Sequence, residues 1–194
     1  MKSNLALFFL LFSLFLTVFL FILNNKKSNP TRINNESELH FQKMNEELNL
    51  KLSGKKITNI ICMDSIRDVH RLLDLIDSKS VLVFHFSEHD CSVCYEDEIR
   101  MLQTFFAHNS NRVIILCSYE AYKNFLIFLK TNQIHFPIYR IEHGAIEWEL
   151  KDYESPYYFV LHPDLSVSDI QIPDKTFPEL NMQYLDRIKR FLSE

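Results

Sequence analysis

The sequence predicts an α/β domain, with a central mixed β-sheet flanked by helices, behind an N-terminal transmembrane helix. Two observations support this organisation. Residues 5–23 form an uncharged apolar run, and from residue 53 short strand-like runs alternate with helix-like segments. Such alternation is typical of a parallel or mixed sheet covered on both faces. We therefore divide the chain into a membrane anchor (1–24), a polar tether with an amphipathic helix (25–52) and the α/β domain (53–194).

The apolar run at residues 5–23 predicts an uncleaved membrane anchor. Its only polar side chains are Ser13 and Thr17, and its length is close to the roughly 20 residues that cross a bilayer as a helix. The apolar core of a signal peptide is usually shorter, about 7–15 residues, and ends at small residues. This run ends in NNKKSNP, without such a cleavage site. A cleaved signal peptide is the alternative.

Each later element is predicted from its pattern of apolar residues. In the tether, a helix at residues 36–50 places Phe41, Met44 and Leu48 on one stripe. In the domain, VLVFHF (81–86) is a continuous apolar run of the kind found in strands buried on both faces. The full predicted order is strand 57–63, helix 65–77, strand 81–86, helix 93–108, strand 112–118, helix 119–132, strands 156–163 and 166–172, and helix 179–192.

Composition excludes several classes of function. The net charge of -4 leaves no basic footprint for nucleic acid. The chain has two glycines, so no glycine-rich phosphate loop is available. Its four cysteines are too few for a disulfide scaffold in a domain of this size. We expect no bound cofactor and no nucleic-acid partner.

The strongest motif is HDCSVCYEDE (89–98), where Cys91 and Cys94 follow a predicted buried strand and precede a predicted helix. Two further stretches accompany it. RVIILCS (112–118) is followed by a helix, and SPYYFVLHPDLSV (155–167) is followed by a second strand of a hairpin. From about residue 57 to the end, this arrangement resembles the thioredoxin fold. With the anchor, the chain is similar to membrane-tethered bacterial thiol–disulfide oxidoreductases of the TlpA and ResA kind.

The spacing of the two cysteines suits disulfide chemistry. Cys91 would lie at the N-cap of the helix, where free backbone N–H groups and the helix dipole stabilise a thiolate. Only the thiolate attacks a disulfide, and Cys94, one turn later, is close enough to resolve the mixed disulfide. We predict that Cys91 is the nucleophile and Cys94 the resolving thiol. Two inert thiols on a degenerate domain are the alternative.

The resemblance implies further site residues. It implies that Pro156 is a cis-proline and that Ser155 and Pro156 bind the substrate backbone. His85, six residues before Cys91, falls where such proteins carry a buried proton-transfer group. An imidazole with a pKa near 6.5 could transfer a proton to or from Cys94. The alternative is a core histidine that is simply hydrogen-bonded.

The motif also departs from the family pattern. Asp90 stands where tryptophan is usual, and Ser92-Val93 separates the cysteines where proline is common. Five carboxylates crowd the motif and should raise the pKa of the Cys91 thiol, which favours a reductase or exchange protein over a strong oxidase. A protonated His89 would act in the opposite direction. The five are Glu88, Asp90, Glu96, Asp97 and Glu98.

The predicted thiol chemistry also indicates the partners of the protein and the cellular compartment of its domain. We expect a protein thiol or disulfide as substrate and a separate electron donor. Persistent disulfides belong in oxidising compartments, which favours a periplasmic or other extracytoplasmic domain. Lys26, Lys27 and Arg32 follow the apolar run and only Lys2 precedes it, a bias that favours the cytoplasm. We give the thiol chemistry more weight and predict a single-pass inner-membrane protein with its domain outside.

Two other functions remain open from sequence. A CxxC pair with His85 or His89 could bind copper(I) or zinc, because thiolates and imidazoles are ligands of these metals. A non-catalytic interaction module is the other possibility. Cys62 and Cys117 lie on predicted strands, where cysteine usually behaves as a small buried hydrophobe. A bridge between these two cysteines is the alternative.

Overall fold

The computed structural model describes residues 36–107, 110–146 and 155–193. The predicted anchor at residues 1–24 lies outside these ranges. Within them, no helix combines the length and apolar character that a membrane span requires. Contacts divide the chain into two units, residues 1–44 and 45–194, and the sheet belongs to the second.

Within the described residues, four α-helices and seven strands follow one another in chain order. Helix α1 covers residues 36–52 and ends before Gly54, whose positive φ of 81° suits a helix C-terminus. The other elements are β1 (Ile61–Met63), β2 (Val69–Arg71), β3 (Val81–Ser87), α2 (Ser92–Phe105), β4 (Val113–Ser118), α3 (Tyr122–Asn132), β5 (Ile138–Ile141), β6 (Tyr157–Leu161), β7 (Val167–Gln171) and α4 (Pro178–Ser193).

The strands form one mixed sheet in the order β2-β1-β5-β4-β3-β6-β7. β3, β4 and β5 are parallel neighbours, whereas β6 pairs antiparallel with β3 and β7 antiparallel with β6. At the other side, β1 pairs antiparallel with β5 and with β2. The predicted mixed sheet with flanking helices is confirmed.

Phe84 and Phe86 of β3 project into a core on one face of the sheet. The ring of Phe86 stacks on Tyr95 of α2 at 4.3 Å and contacts Phe128 of α3 edge-on at 5.2 Å. Tyr184 of α4 joins the same core. Burying one such aromatic side chain contributes about 1.5–3 kcal/mol, so these contacts hold the three helices on the sheet.

Two asparagines of α1 cover the edge strand β7. Asn49 accepts a hydrogen bond from Ile170 N at 2.7 Å and donates one to Ile170 O at 2.6 Å. Asn45, one turn earlier, makes the same pair of bonds to Ile172, at 2.8 and 3.4 Å. The side-chain amides therefore satisfy backbone groups that a neighbouring strand would otherwise bond.

Residues 65–77 do not form the predicted helix. The Asp64 carboxylate accepts hydrogen bonds from the backbone N–H groups of Ile66 and Asp68, both at 2.9 Å, and so closes a turn. The chain then enters β2, and only a short 3-10 helix, Leu72–Leu75, follows. Turn chemistry at the aspartate and strand pairing outweigh the helical spacing of the apolar residues. Strand β5 was not predicted.

Candidate functional site

The two motif cysteines lie at the start of α2. Cys91 is the N-cap residue and its side chain is exposed, whereas Cys94 is half-buried in the first turn. A disulfide joins them, with Cα atoms 5.2 Å apart. The Cys91 carbonyl accepts hydrogen bonds from Cys94 N at 2.9 Å and Tyr95 N at 3.2 Å. The sequence placed both residues correctly, at the end of the helix where N–H groups face solvent.

Asp90 shapes the turn that precedes the disulfide. Its carboxylate accepts a hydrogen bond from Ser87 N at 2.8 Å, and its own N–H donates to Ser87 O at 3.0 Å. His89 N donates to Ser87 Oγ at 3.3 Å. Asp90 therefore fixes the chain between β3 and α2, which is a local structural reason for a carboxylate at this position.

Several of the carboxylates predicted to surround Cys91 form hydrogen bonds or ion pairs with other residues. Glu88 accepts hydrogen bonds from Glu120 N and from Asn124 Nδ2, so it binds the segment that begins α3. Asp97 forms an ion pair with Arg100 on the surface of α2. These side chains have local partners, which the sequence reading did not anticipate. The effect of the remaining negative charge on the Cys91 thiol stays a prediction.

Glu98 is buried beneath the motif, only 5 % exposed. Its two carboxylate oxygens accept hydrogen bonds from Tyr158 Oη at 2.7 Å and from Asn181 Nδ2 at 3.2 Å. Burial raises the pKa of this carboxyl, while the two donors oppose that shift. Glu98 therefore links α2 to β6 and α4, a structural role for a residue that the sequence analysis counted among the carboxylates crowding the motif.

His85 lies on the opposite face of β3 from Phe84 and Phe86, because side chains alternate along a strand. Its Nε2 is 3.2 Å from Ser118 Oγ, and its ring centroid is 4.7 Å from that of Tyr157. Its Nδ1 is enclosed and has no hydrogen-bond partner among the described residues.

Burial, with a smaller contribution from His143, lowers the pKa of His85 to about 3. The ring is therefore neutral at pH 7. Within the described part of the chain, no hydrogen bond joins His85 to either motif cysteine. Its proton-transfer role stays a prediction.

Ser155 and Pro156 lie at the same end of the sheet as the cysteines. They immediately precede β6, whose first residue, Tyr157, pairs with His85 near the end of β3. Ser155 is half-buried and Pro156 is buried. The prediction of a cis-proline is wrong, because no peptide bond among the described residues is cis. The trans isomer of an X-Pro bond is intrinsically favoured by about 0.5–1 kcal/mol, and this chain adopts it where the resemblance implied the cis isomer. The substrate-binding role of both residues stays a prediction.

The structure adds His143 to the site, a residue that the sequence reading missed. Its ring centroid is 5.8 Å from that of His89, in an edge-on arrangement. His89 Nε2 is also 3.5 Å from Glu120 Oε1, and both of these side chains are mostly exposed. His143 follows the unpredicted strand β5, so no local pattern could have placed it beside the motif.

Cys62 and Cys117 are free thiols inside the sheet, so the alternative of a bridge between them is not realised. Burial raises the pKa of Cys62 to about 12 and that of Cys117 well above its ordinary value. Cys117 Sγ donates to Tyr139 O at 3.4 Å. Among the described residues, no group of three or more His, Cys, Asp or Glu side chains is arranged to hold a metal ion.

Comparison with known proteins identifies the fold. No family model matches the sequence. No curated protein matches it either. Similar solved structures include a thiol:disulfide interchange protein from Bacteroides sp., with 13% identity and a TM-score of 0.55 over 73% of this chain and 91% of that one.

Two further structures are similar in the same way. The thioredoxin domain of a thiol-disulfide oxidoreductase from Bacteroides vulgatus has 11% identity and a TM-score of 0.54, over 72% of this chain and 97% of that one. Peroxidoxin BcpB from Mycobacterium tuberculosis has 15% identity and a TM-score of 0.52, over 71% and 97%. At such low identity, a structural match carries the fold and not the chemistry. The domain has the thioredoxin-like fold.

Proposed function

We propose that this protein is a membrane-anchored thiol–disulfide oxidoreductase that reduces or exchanges disulfides of protein substrates. The observation that carries the proposal is the disulfide between exposed Cys91 and half-buried Cys94 at the N-terminus of α2. The fold is one that thiol:disulfide interchange proteins from other organisms share. The difference in exposure separates the proposed roles, because the sulfur of Cys91 is more accessible to a substrate than that of Cys94.

The reaction begins with the reduced pair. The Cys91 thiolate attacks one sulfur of the substrate disulfide, which breaks the S–S bond and releases one substrate thiolate. The Cys94 thiolate then attacks Cys91 Sγ, forms the intramolecular disulfide and releases the second substrate thiolate. Two electrons pass from the pair to the substrate, and two protons reach the released thiolates. A dithiol electron donor returns the pair to its reduced form.

We infer that the pair works as a reductant or exchanger. The helix N-terminus favours the Cys91 thiolate, while nearby carboxylates oppose it. A strongly oxidising pair needs a reduced form that is unusually stable, and this balance does not provide one. In the proposed complex, Ser155 and Pro156, at the same end of the sheet, bind the substrate backbone.

A redox titration of the full-length chain in detergent micelles tests the proposal. The chain is equilibrated with dithiol–disulfide buffers, and alkylated thiols are counted by mass. We expect a two-thiol transition at Cys91 and Cys94, well below the roughly -120 mV of a strong oxidase. A potential near that value would indicate an oxidase. Absence of any reversible transition would refute disulfide chemistry.

The predicted anchor and the side of the membrane need their own measurement. We propose that residues 1–24 hold the domain on the extracytoplasmic face. A membrane-impermeant thiol reagent applied to intact bacterial cells should label reduced Cys91 of the full-length chain. Labelling only after lysis would place the domain in the cytoplasm, as the charge bias around the apolar run favours.

A further inference from the structure

A second polar cluster lies at the other end of the sheet. Ser80 precedes β3 and His162 follows β6, so both lie about 20 Å, one strand length, from the end of β3 that leads to Cys91. Ser80 lines a cleft of about 660 Å³. Polar side chains line the same cleft, among them Asp77, Lys79, Asn111 and Arg112. The disulfide chemistry uses none of these residues.

A chain of hydrogen bonds runs from Ser80 to a carboxylate. Ser80 Oγ is 2.9 Å from His162 Nδ1, and His162 Nε2 is 2.9 Å from Ser168 Oγ. Ser168 Oγ in turn donates to Asp169 Oδ2 at 2.8 Å. Four side chains from three segments are therefore linked in one line.

The direction of these bonds fixes the His162 tautomer. A serine hydroxyl has one proton, and Ser168 gives it to Asp169, so Ser168 Oγ must accept from His162. Nε2 of the neutral ring then carries the proton, and Nδ1 presents a lone pair. Ser80 consequently donates its hydroxyl proton to His162 Nδ1, the arrangement in which a histidine activates a serine nucleophile.

The backbone conformation of Asp169 is held in place by contacts with two side chains of α4. Asp169 has a φ of 51°, in the left-handed region that is uncommon for a non-glycine residue. Its carboxylate also pairs with Arg187, and its carbonyl accepts a hydrogen bond from Tyr184 Oη at 2.7 Å. Residues held in such conformations by several contacts cluster at functional sites.

The cleft offers positive charge beside Ser80. Arg112 donates from Nε and one terminal nitrogen to Leu192 O, at 3.2 and 2.7 Å, and its other terminal nitrogen bonds no described residue. Lys79 forms no ion pair within the described ranges. Among the described residues that line the cleft, Lys79 and Arg112 are cationic and Asp77 is anionic, which favours a ligand that carries negative charge.

We propose that Ser80 and His162 form a second catalytic site that cleaves small carboxylic esters bearing an anionic group. Ser80 Oγ attacks the ester carbonyl while His162 Nδ1 accepts the hydroxyl proton. The C–O bond to the alcohol breaks, and the alcohol leaves with the proton from His162. Water, deprotonated by His162, then releases the carboxylic acid and restores Ser80. Ser168 and Asp169 are positioning residues, and Lys79 and Arg112 bind the anionic group.

A fluorophosphonate probe tests the nucleophile on the full-length chain. Attack by Ser80 forms one O–P bond and releases fluoride and a proton, and intact mass with peptide mapping locates the adduct. We expect one label at Ser80, none in Ser80→Ala and at least a ten-fold slower reaction in His162→Gln. Ser166 is the matched control, because its hydroxyl bonds Asp164 and no histidine. Ser166→Ala should label like the wild type. No label at Ser80, or an equal rate in His162→Gln, would overturn the proposal.

Two further comparisons test the positioning residues and the anionic ligand. Ser168→Thr keeps the hydroxyl and should keep the labelling rate, whereas Ser168→Ala should lose most of it. Equal rates in these two variants would remove Ser168 from the site. Millimolar inorganic phosphate should slow labelling of the wild type but not of Lys79→Gln. If phosphate gives no protection, the assignment of an anionic substrate is wrong.

Discussion

Cys91 and Cys94 lie at the solvent-facing start of α2, whereas Cys62 and Cys117 lie inside the sheet on β1 and β4. The first pair is joined by a disulfide and the second pair consists of separate thiols with raised pKa values. All four have the same side chain. Their surroundings differ, since a helix N-terminus favours a thiolate and an apolar interior disfavours one.

The contrast shows that position decides whether a cysteine is chemically useful. At pH 7 a buried thiol with a pKa of about 12, such as Cys62, contains almost no thiolate and has no access to a substrate. An exposed sulfur at the N-cap has both access and a favourable dipole. Burial acts in the same sense on the carboxylate and the histidine beneath the motif, because it raises the pKa of Glu98 and lowers that of His85, so in both cases it disfavours the charged form.

Substitution of the motif cysteines should have the largest effect on disulfide exchange, and so it tests the difference between the exposed and the buried cysteines. Cys91→Ser should reduce disulfide exchange at least about a hundred-fold, because a hydroxyl does not replace a thiolate nucleophile. Cys94→Ser should accumulate mixed disulfides, visible by non-reducing electrophoresis. Turnover of a model protein disulfide by the full-length chain is the measurement.

Cys117→Ala is the matched buried control. It should keep exchange within about two-fold while lowering the free energy of unfolding by about 1 kcal/mol, as small core truncations do. The assignment of Cys91 as reactive and Cys117 as unreactive would be contradicted if Cys91→Ser retained exchange activity, or if Cys117→Ala lost it with the fold intact.

Two neighbouring carboxylates extend the comparison to stability. Glu98→Ala leaves the buried hydroxyl of Tyr158 without its acceptor and removes one of the two acceptors of the Asn181 amide, which also bonds Asp174 O, at a cost of about 1–3 kcal/mol. Asp97→Ala removes only an exposed ion pair with Arg100 and should cost less than about 1 kcal/mol. Urea unfolding of both variants gives the two values. Equal values would show that the buried Glu98 network stabilises the fold no more than the exposed ion pair of Asp97 does.

The histidine comparison predicts a dependence on pH. His85 has a pKa of about 3 in the folded protein, below the 6.5 expected when unfolded. Between these values the unfolded chain takes up a proton that the folded protein does not, so stability falls as pH falls from 6.5 towards 3. At pH 5 this loss is about 1–2 kcal/mol.

His85→Gln removes the titrating group and retains a side chain able to reach Ser118. Its unfolding free energy should therefore vary less between pH 7 and pH 5 than that of the wild type. An unchanged pH dependence would mean that His85 is protonated as readily in the folded protein as in the unfolded chain.

The smallest effect is expected at the exposed His89–Glu120 pair. Glu120→Gln removes a charge whose side chain is 73% exposed, where water and salt screen the interaction. Exchange rates should change by less than about three-fold, and by less still at high salt. A ten-fold change at low salt would show that this pair controls the Cys91 thiolate directly.

The central part of the fold could be predicted because its patterns are local and strong. The continuous apolar run of β3, the motif that follows it and the periodic α4 all form where expected. The hairpin of β6 and β7 also forms, because its two apolar runs flank a short turn.

The errors lie where distant pairing decides the structure. Val69 belongs to an apparent helical stripe, yet it is 62% exposed and pairs with Met63 in a sheet. β5 has four residues and gains its structure from β4 and β1, so its own sequence gives little signal. His143 beside the motif could not be found for the same reason.

The candidate site was predictable in its sulfur atoms and not in its surroundings. The positions of the two cysteines could be predicted because they lie at the N-cap and in the first turn of a helix. That location determines the distance between the two residues and leaves the first one exposed. The partners of Glu88 and Glu98 come from α3, β6 and α4, tens of residues away. The order of residues along the chain therefore did not reveal that these carboxylates have partners in distant elements.

The two asparagines of α1 have a practical consequence for work with shortened chains. A protein that begins after residue 52 would lack Asn45 and Asn49 and would leave the N–H and C=O groups of Ile170 and Ile172 open. Open strand edges are templates for intermolecular pairing. Such a fragment should polymerise through β7, whereas one that begins at residue 36 keeps Asn45 and Asn49 and the hydrogen bonds that cover this edge.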